Sequence, residues 1–317
     1  MVNKKLMNKK PIHHYLCCML SLDPKELKTA LLHQYLLHAV APRPIAFAST
    51  VDAEGNPNLS PFSFFNVFSA NPPVVIFSPA RSGRTGATKN TLDNVREVPE
   101  VVINVVNHAL VQQASLSSTE YPKGVNEFVK AGLTEIPSVK IRPSRVKESP
   151  VQLECIVREV IELGTQGGAG NLVIAEVVMI HIHESVMDAE SQMIDQNKID
   201  LVSRLGGDWY CRASGDALFK VAKPLTTIGI GVDGIPVHIK ESKILTGNNL
   251  GQLGNIEKLP DAAEVRAYIA KGAINEAFEL YGKNMQKLDG HLHHIAAGLL
   301  QDGKVNEAWM VLLSDQL

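Results

Sequence analysis

Apolar positions in the first 220 residues fall mostly into short β-branched and aromatic runs, whereas helical spacing takes over in the last hundred. Ile45–Val51, Leu59–Phe64, Val74–Phe77 and Val101–Val106 read as strands bounded by turn residues. Val151–Leu163 and Leu172–His183 are longer alternating strands, and the connection Gly164–Gly170 is rich in glycines suited to positive φ. Helical patterns are fewer. One spans Pro24–Leu37 and is entered by Asp23-Pro24. A second follows Asn90 or Thr91, both good N-caps, with Leu92, Val95 and Val98 at helical spacing. A third is capped by Asn107 and runs to about Ser115. Many strands with few long helices predict a mainly β barrel, not a parallel α/β sheet.

The end of the chain differs. A glycine-rich connector follows Pro224, and a helical region begins at Asp261, where Asp261 and Glu264 form a capping-box pattern. Gly272-Ala-Ile-Asn-Glu-Ala-Phe278 and Gly303-Lys-Val-Asn-Glu-Ala-Trp309 stand 31 residues apart and could be copies of a helical repeat, although Asn-Glu-Ala is also ordinary helix-start vocabulary. Gly229–Gly234 fits G-x-G-x-x-G, but Pro236 falls where the first turns of a dinucleotide-binding helix would be, which excludes that use. At the other end, Met19-Leu-Ser-Leu-Asp-Pro24 reads as a more natural start than Met1. The expected organisation is therefore an extension without structure over residues 1–22, a β domain over 23–222, and a connector with an α-helical region over 223–317.

The densest chemistry lies between Ser60 and Thr91. Ser60-Pro-Phe-Ser-Phe-Phe-Asn66 is an aromatic, small-residue segment, and Pro72-Pro73 fix the entry of the buried run Val74–Phe77. Arg81, Arg84 and Lys89 then follow with no acid before Asp93. Ser82, Thr85, Thr88 and Thr91 add hydroxyls, and Gly83 and Gly86 let backbone amides approach a ligand. A helix start beside cationic side chains suits a phosphate. A solvated basic loop has the same composition. Taken with the aromatic segment, however, the stretch can hold a flat apolar ring at one end and a phosphate at the other, which is the shape of flavin mononucleotide (FMN).

The order of the motifs resembles the flavin reductase-like family, the FMN-binding split barrels. Its pattern maps onto Arg43-Pro44, Ser60–Asn66, Pro72-Pro73 and Lys89-Asn90-Thr91 through Asn94, with Asn126–Thr134 and Glu148–Cys155 as further similar segments. The resemblance spans roughly Leu31–Lys220. Asn90 stands where the family usually has Asp, which leaves the loop one charge more positive. The resemblance implies a mainly β split barrel with an added α-helical C-terminal region, bound FMN, a homodimer with flavin near the subunit interface, and hydride transfer from NAD(P)H to flavin. It places Ser60, Pro61, Phe62 and Ser63 beside the isoalloxazine. Ser78, Arg81, Lys89, Asn90 and Thr91 would hold the ribityl chain and phosphate, and Arg43 is a further candidate. The cofactor carries the chemistry, so no acid–base residue of the chain is expected to be catalytic. A partner oxygenase or other electron acceptor would take the reduced flavin. Two rival readings are a non-catalytic, flavoredoxin-like FMN carrier, and an interaction module in which the helical tail recruits a protein.

Composition narrows the classes further. The formal net charge is -2, which argues against nucleic acid as main partner. Cys17, Cys18, Cys155 and Cys211 have no metal spacing and fit reduced cytoplasmic thiols. No run at the N-terminus is apolar enough for a membrane span. His181 and His183 share one strand face, and His291, His293 and His294 cluster later, but nothing completes a metal set. Ser60 and Ser63 lack a nucleophile elbow. Glu127 reads as a structural pair-former, not a base.

Overall fold

The computed structural model describes residues 19–224, 228–272 and 274–316. Residues 1–18 of the expected extension and 225–227 of the connector lie outside them, while Met19–Leu22 are exposed and irregular. The chain divides into two compact units between Phe219 and Lys220.

The first unit is built on strands β1 (Ala46–Val51), β2 (Pro57–Phe62), β3 (Phe65–Ala70), β4 (Pro73–Phe77), β5 (Glu100–Val105), β6 (Glu135–Ile136), β7 (Arg145–Val146), β8 (Val151–Glu162) and β9 (Asn171–Ile182). Seven of these form one antiparallel sheet in the order β2-β1-β5-β8-β9-β4-β3. The two edges of that sheet, β2 and β3, are consecutive in the chain and separated only by Ser63 and Phe64. In a flat sheet six strand spacings would part them by about 29 Å. Three residue steps reach at most about 11 Å. The sheet therefore curls until its edges meet at Phe62 and Phe65, without pairing along them.

Alternation along β1 shows how the curl is filled. All six residues of β1 are buried. Ala46 and Ala48 point into a core with Val75, Phe77, Leu92, Ile103 and Ala175. Ile45 and Phe47 join an opposite core with Leu59, Leu110, Phe128 and Val146. A fully buried Leu or Phe contributes about 1.5–3 kcal/mol, so both layers hold the site in place. Three short helices supply these layers, α2 (Asn90–Glu97), α3 (Val111–Leu116) and α4 (Glu127–Ala131), whereas the preceding α1 (Thr29–Ala39) buries none of its residues. After β9 come α5 (Gln196–Ile199) and the hairpin β10 (Val202–Arg204) and β11 (Tyr210–Arg212).

Several expected boundaries shift. The helix expected over Pro24–Leu37 is one 3-10 turn capped by Asp23, then an extended Leu27-Lys28, then α1. The strand expected over Leu59–Phe64 bends at Ser63-Phe64, and Phe65–Ala70 forms a strand not expected from sequence. The Asn107 side chain accepts from the Leu110 amide at 3.2 Å, holding a turn ahead of α3 instead of capping the helix.

The second unit is helical: α6 (Val237–Lys240), α7 (Gly247–Leu253), α8 (Ala262–Ile269), α9 (Asn275–Tyr281), α10 (Met285–Gln301) and α11 (Val305–Leu312). Asp261 and Glu264 form the expected capping box. Gly272 and Gly303 both take positive φ, 82° and 75°, and each precedes a helix that buries an alanine, Ala277 or Ala308. Phe278 and Trp309 pack on the same core, so the two similar segments play matching roles. Gly229 and Gly231 belong to a close backbone crossing: the Gly231 amide donates to the Gly254 carbonyl at 3.0 Å, and a Cβ at Gly229 would meet that oxygen at 2.5 Å.

Candidate functional site

Two adjoining cavities of about 190 Å³ each open on the first unit, and Ser118 lines both. The first is walled by Ile45, Pro61, Phe62, Ser63, Val111 and Tyr210. Its shape follows from the bend between β2 and β3. Phe62 packs on the wholly buried Phe77, ring centroids 5.6 Å apart, which fixes the aromatic wall. Arg204 also lines it, with its guanidinium 4.6 Å from the Tyr210 ring centroid.

The second cavity is polar. It is lined by Ser60 and Asn58 from β2, by Ser82, Thr85 and Thr88 from the basic loop, and by Lys89, Asn90 and Thr91 at the start of α2. The cap position of α2 is Lys89, in extended conformation and without a side-chain cap, so Asn90 and Thr91 lie inside the helix instead of capping it. The first amides of a helix have no partner within it and carry a partial positive charge. Gly86, at φ 72°, lets the loop turn back so that the Ser82 amide reaches the Ala87 carbonyl at 2.9 Å. Beneath the cavity, Asn58 Nδ2 donates to Thr91 Oγ1 at 2.8 Å and to Thr50 Oγ1 at 3.2 Å, and Asn94 Nδ2 donates to the same Thr50 oxygen at 3.1 Å. This buried network sets the height of α2 against β1 and β2.

The sequence candidates separate into three groups. Pro61, Phe62 and Ser63 line the first cavity, and Ser60, Lys89, Asn90 and Thr91 line the second. Arg43, Ser78 and Arg81 line neither. Buried Arg43 donates to the carbonyls of Leu37, Val40 and Leu205, tying the end of α1 to the segment after β10. The Ser78 hydroxyl accepts the Asn171 amide at 3.0 Å and joins β4 to the start of β9. Arg81 pairs with Glu162 at 3.2 Å.

Acids absent from the local sequence are brought in by the fold. Along the chain the basic loop meets no acid before Asp93, but in space Glu120 lies 2.5 Å from Lys89 Nζ and 3.0 Å from Arg84. Lys89 and then Arg84 hold the Glu120 carboxyl below its ordinary value. Glu162 likewise takes Arg81 and Arg96. Glu127 lines the second cavity and accepts the Leu59 amide at 3.1 Å, so it is held by a backbone donor, not by an ion pair. Burial raises its carboxyl above the usual range, against the pull of that amide. Asn58, Glu120 and Tyr121 were not legible as lining residues, because only the folded sheet sets them opposite the basic loop. Among the described residues no cluster of three or more His, Cys, Asp or Glu is arranged for a metal.

Residues 38–198 match the model of the flavin reductase like domain. An uncharacterized protein of Aquifex aeolicus is 34% identical over 198 residues, covering 62% of this chain and 97% of that one. The crystal structure of nitrilotriacetate monooxygenase component B from Bacillus cereus is 30% identical, with TM-score 0.60 over 64% of this chain and 99% of that one. A protein of Shewanella frigidimarina described as a flavin reductase with split barrel domain is 27% identical, with TM-score 0.53 over 63% of this chain and 95% of that one.

Proposed function

The chain belongs to the flavin reductase-like family, and from that premise we propose that it binds FMN across the two adjoining cavities and passes hydride from NAD(P)H to it. One observation carries the reading: an aromatic cavity and a hydroxyl- and amide-rich cavity with a lysine meet at Ser118. The residues fit the group. Pro61, Phe62 and Ser63 would face the isoalloxazine, with Tyr210 on the same wall. Ser60, Asn90 and Thr91 would hold the ribityl chain and, with Lys89, the phosphate. In this assignment Arg43, Ser78 and Arg81 support the site from behind. Bound flavin supplies the hydride chemistry, and the chain supplies position and charge. Phe62 would hold the ring end, while Lys89 and the α2 amides would hold the phosphate end.

Other features support the wider reading. Val67 and Phe68 on edge strand β3, and Leu36 and Val40 at the end of α1, are exposed apolar residues suited to a homodimer interface. Likeness to a monooxygenase component B supports an oxygenase as acceptor of reduced flavin. Cys155 and Cys211 are unbridged, which supports a reducing cytoplasmic compartment. No helix among the described residues is long and apolar enough to cross a membrane.

The test is an anaerobic titration of the purified protein with FMN, followed by NADH or NADPH. The flavin bands should shift on binding and bleach on addition of nicotinamide. Absence of any shift at micromolar concentrations would remove the reading. Binding without bleaching would leave a non-catalytic FMN carrier.

A further inference from the structure

The cation that would take a flavin phosphate already has an anion on it. Lys89 Nζ donates to Glu120 Oε1 at 2.5 Å, and Arg84 donates to Glu120 Oε2 at 3.0 Å. Both Lys89 and Glu120 line the polar cavity. Among the described residues the only other charged side chain lining it is Glu127, which burial pushes toward its neutral form. The lining side chains thus carry no net positive charge, although the local sequence around Lys89 is basic. Glu120 lies on the turn segment between α3 and α4, with its side chain 49% exposed, so it can leave Lys89 without opening a core.

We propose that Glu120 sets the affinity for the phosphate end of the flavin by competing with the phosphate monoester for Lys89 and Arg84. The proposal rests on the reading that the polar cavity takes the FMN phosphate. A phosphate dianion and a carboxylate cannot share one lysine without mutual repulsion, so FMN must displace Glu120. The cost falls on ligands carrying the phosphate and spares those that lack it. Glu120 returns to Lys89 as the ligand leaves, which favours exchange of flavin over permanent retention. That suits a reductase whose flavin is handed on, and suits a resident prosthetic group less well.

The experiment is a set of titrations of native protein and Glu120→Gln with FMN, riboflavin and inorganic phosphate, with melting temperatures recorded. Gln keeps the shape and removes the charge. FMN should bind about tenfold more tightly to Glu120→Gln, the size of effect expected from one charge-assisted contact. Riboflavin should be unchanged, and inorganic phosphate should bind the flavin-free variant more tightly than the native protein. Unchanged FMN affinity would overturn the proposal. Weaker FMN binding would also overturn it, since Glu120 would then be orienting Lys89 for the phosphate. Parallel loss for both flavins with a lower melting temperature would reveal a structural role and overturn it too, and Glu120→Ala provides the check if the glutamine variant does not fold. Failure of the underlying reading looks different: native protein would bind FMN and riboflavin equally, or neither.

Discussion

His181 Nε2 lies 2.7 Å from Glu154 Oε1, and that carboxylate has no exposed surface. Its two oxygens also accept the Val139 and Lys140 amides at 2.8 and 2.7 Å. Glu154 thereby pins the 139–140 segment and the end of β9 to β8. Burial alone pushes its carboxyl up, but the two amides and His181 outweigh burial and hold it below the ordinary value of 4.5. A carboxyl depressed in the fold contributes stability above its unfolded pKa and loses it as pH falls through the folded value. Glu154→Gln should cost about 1.5–3 kcal/mol at neutral pH, the range for hydrogen bonds to a charged group. The gap between native and variant should shrink as pH drops below 4.5. Urea unfolding of both proteins from neutral to acid pH measures it, and a gap independent of pH would rule out this role for the charge.

Thr91 is expected to serve two purposes. Its hydroxyl oxygen accepts from Asn58 in the buried network, and its side chain lines the polar cavity. Thr91→Val keeps the shape but removes that acceptor, weakening the Asn58 network at a cost of about 1–3 kcal/mol. Thr91→Ser should retain most stability and FMN binding. If Val and Ser variants melt alike, the network does not depend on this hydroxyl.

Local pattern made much of this molecule legible. The long strands β8 and β9, the capping box at Asp261 and the strand Val74–Phe77, of which Val75 and Phe77 are buried, follow from residues adjacent in sequence. The double use of Ser60–Asn66 did not, because Ser63-Phe64 turn the chain from one edge of the sheet, β2, to the other, β3, a relation set by pairings far apart in sequence. Pairings across the fold were equally hidden. Arg81 and Ser78 lie in the phosphate-like stretch, and their partners Glu162 and Asn171 come from β8 and β9, far away in sequence. Glu120 is 31 positions from Lys89, a distance over which sequence proximity says nothing about charge.

Lys89 tests the placement of the phosphate. A charge-assisted contact is worth about 1.5–3 kcal/mol, so Lys89→Ala should weaken FMN roughly tenfold to a hundredfold. Riboflavin lacks the phosphate and should be nearly unaffected, so the preference for FMN over riboflavin should narrow. Equal losses for both ligands, with a fall in melting temperature, would make Lys89 structural. Equal affinities in the native protein would move the phosphate away from this loop.

The flavin site is expected to survive removal of the helical region. Every lining residue of both cavities lies between Ile45 and Tyr210, within the first unit. The cores of the two units draw on separate residues: Ile45 to Val202 in the first, Ile235 to Leu312 in the second. The second unit has its own anchor in Trp309, wholly buried, with Nε1 donating to the Leu253 carbonyl at 3.1 Å. A chain ending at Ala222 should therefore fold and bind FMN within about threefold of the full-length affinity, a difference below one kcal/mol. In the full chain, Trp309→Ala should remove about 3–5 kcal/mol from the helical unit, the usual cost of deleting a buried Trp, and leave FMN binding in place. Circular dichroism and FMN titration on both proteins decide the matter. A shortened chain that is folded but has lost FMN would make the helical region part of the site.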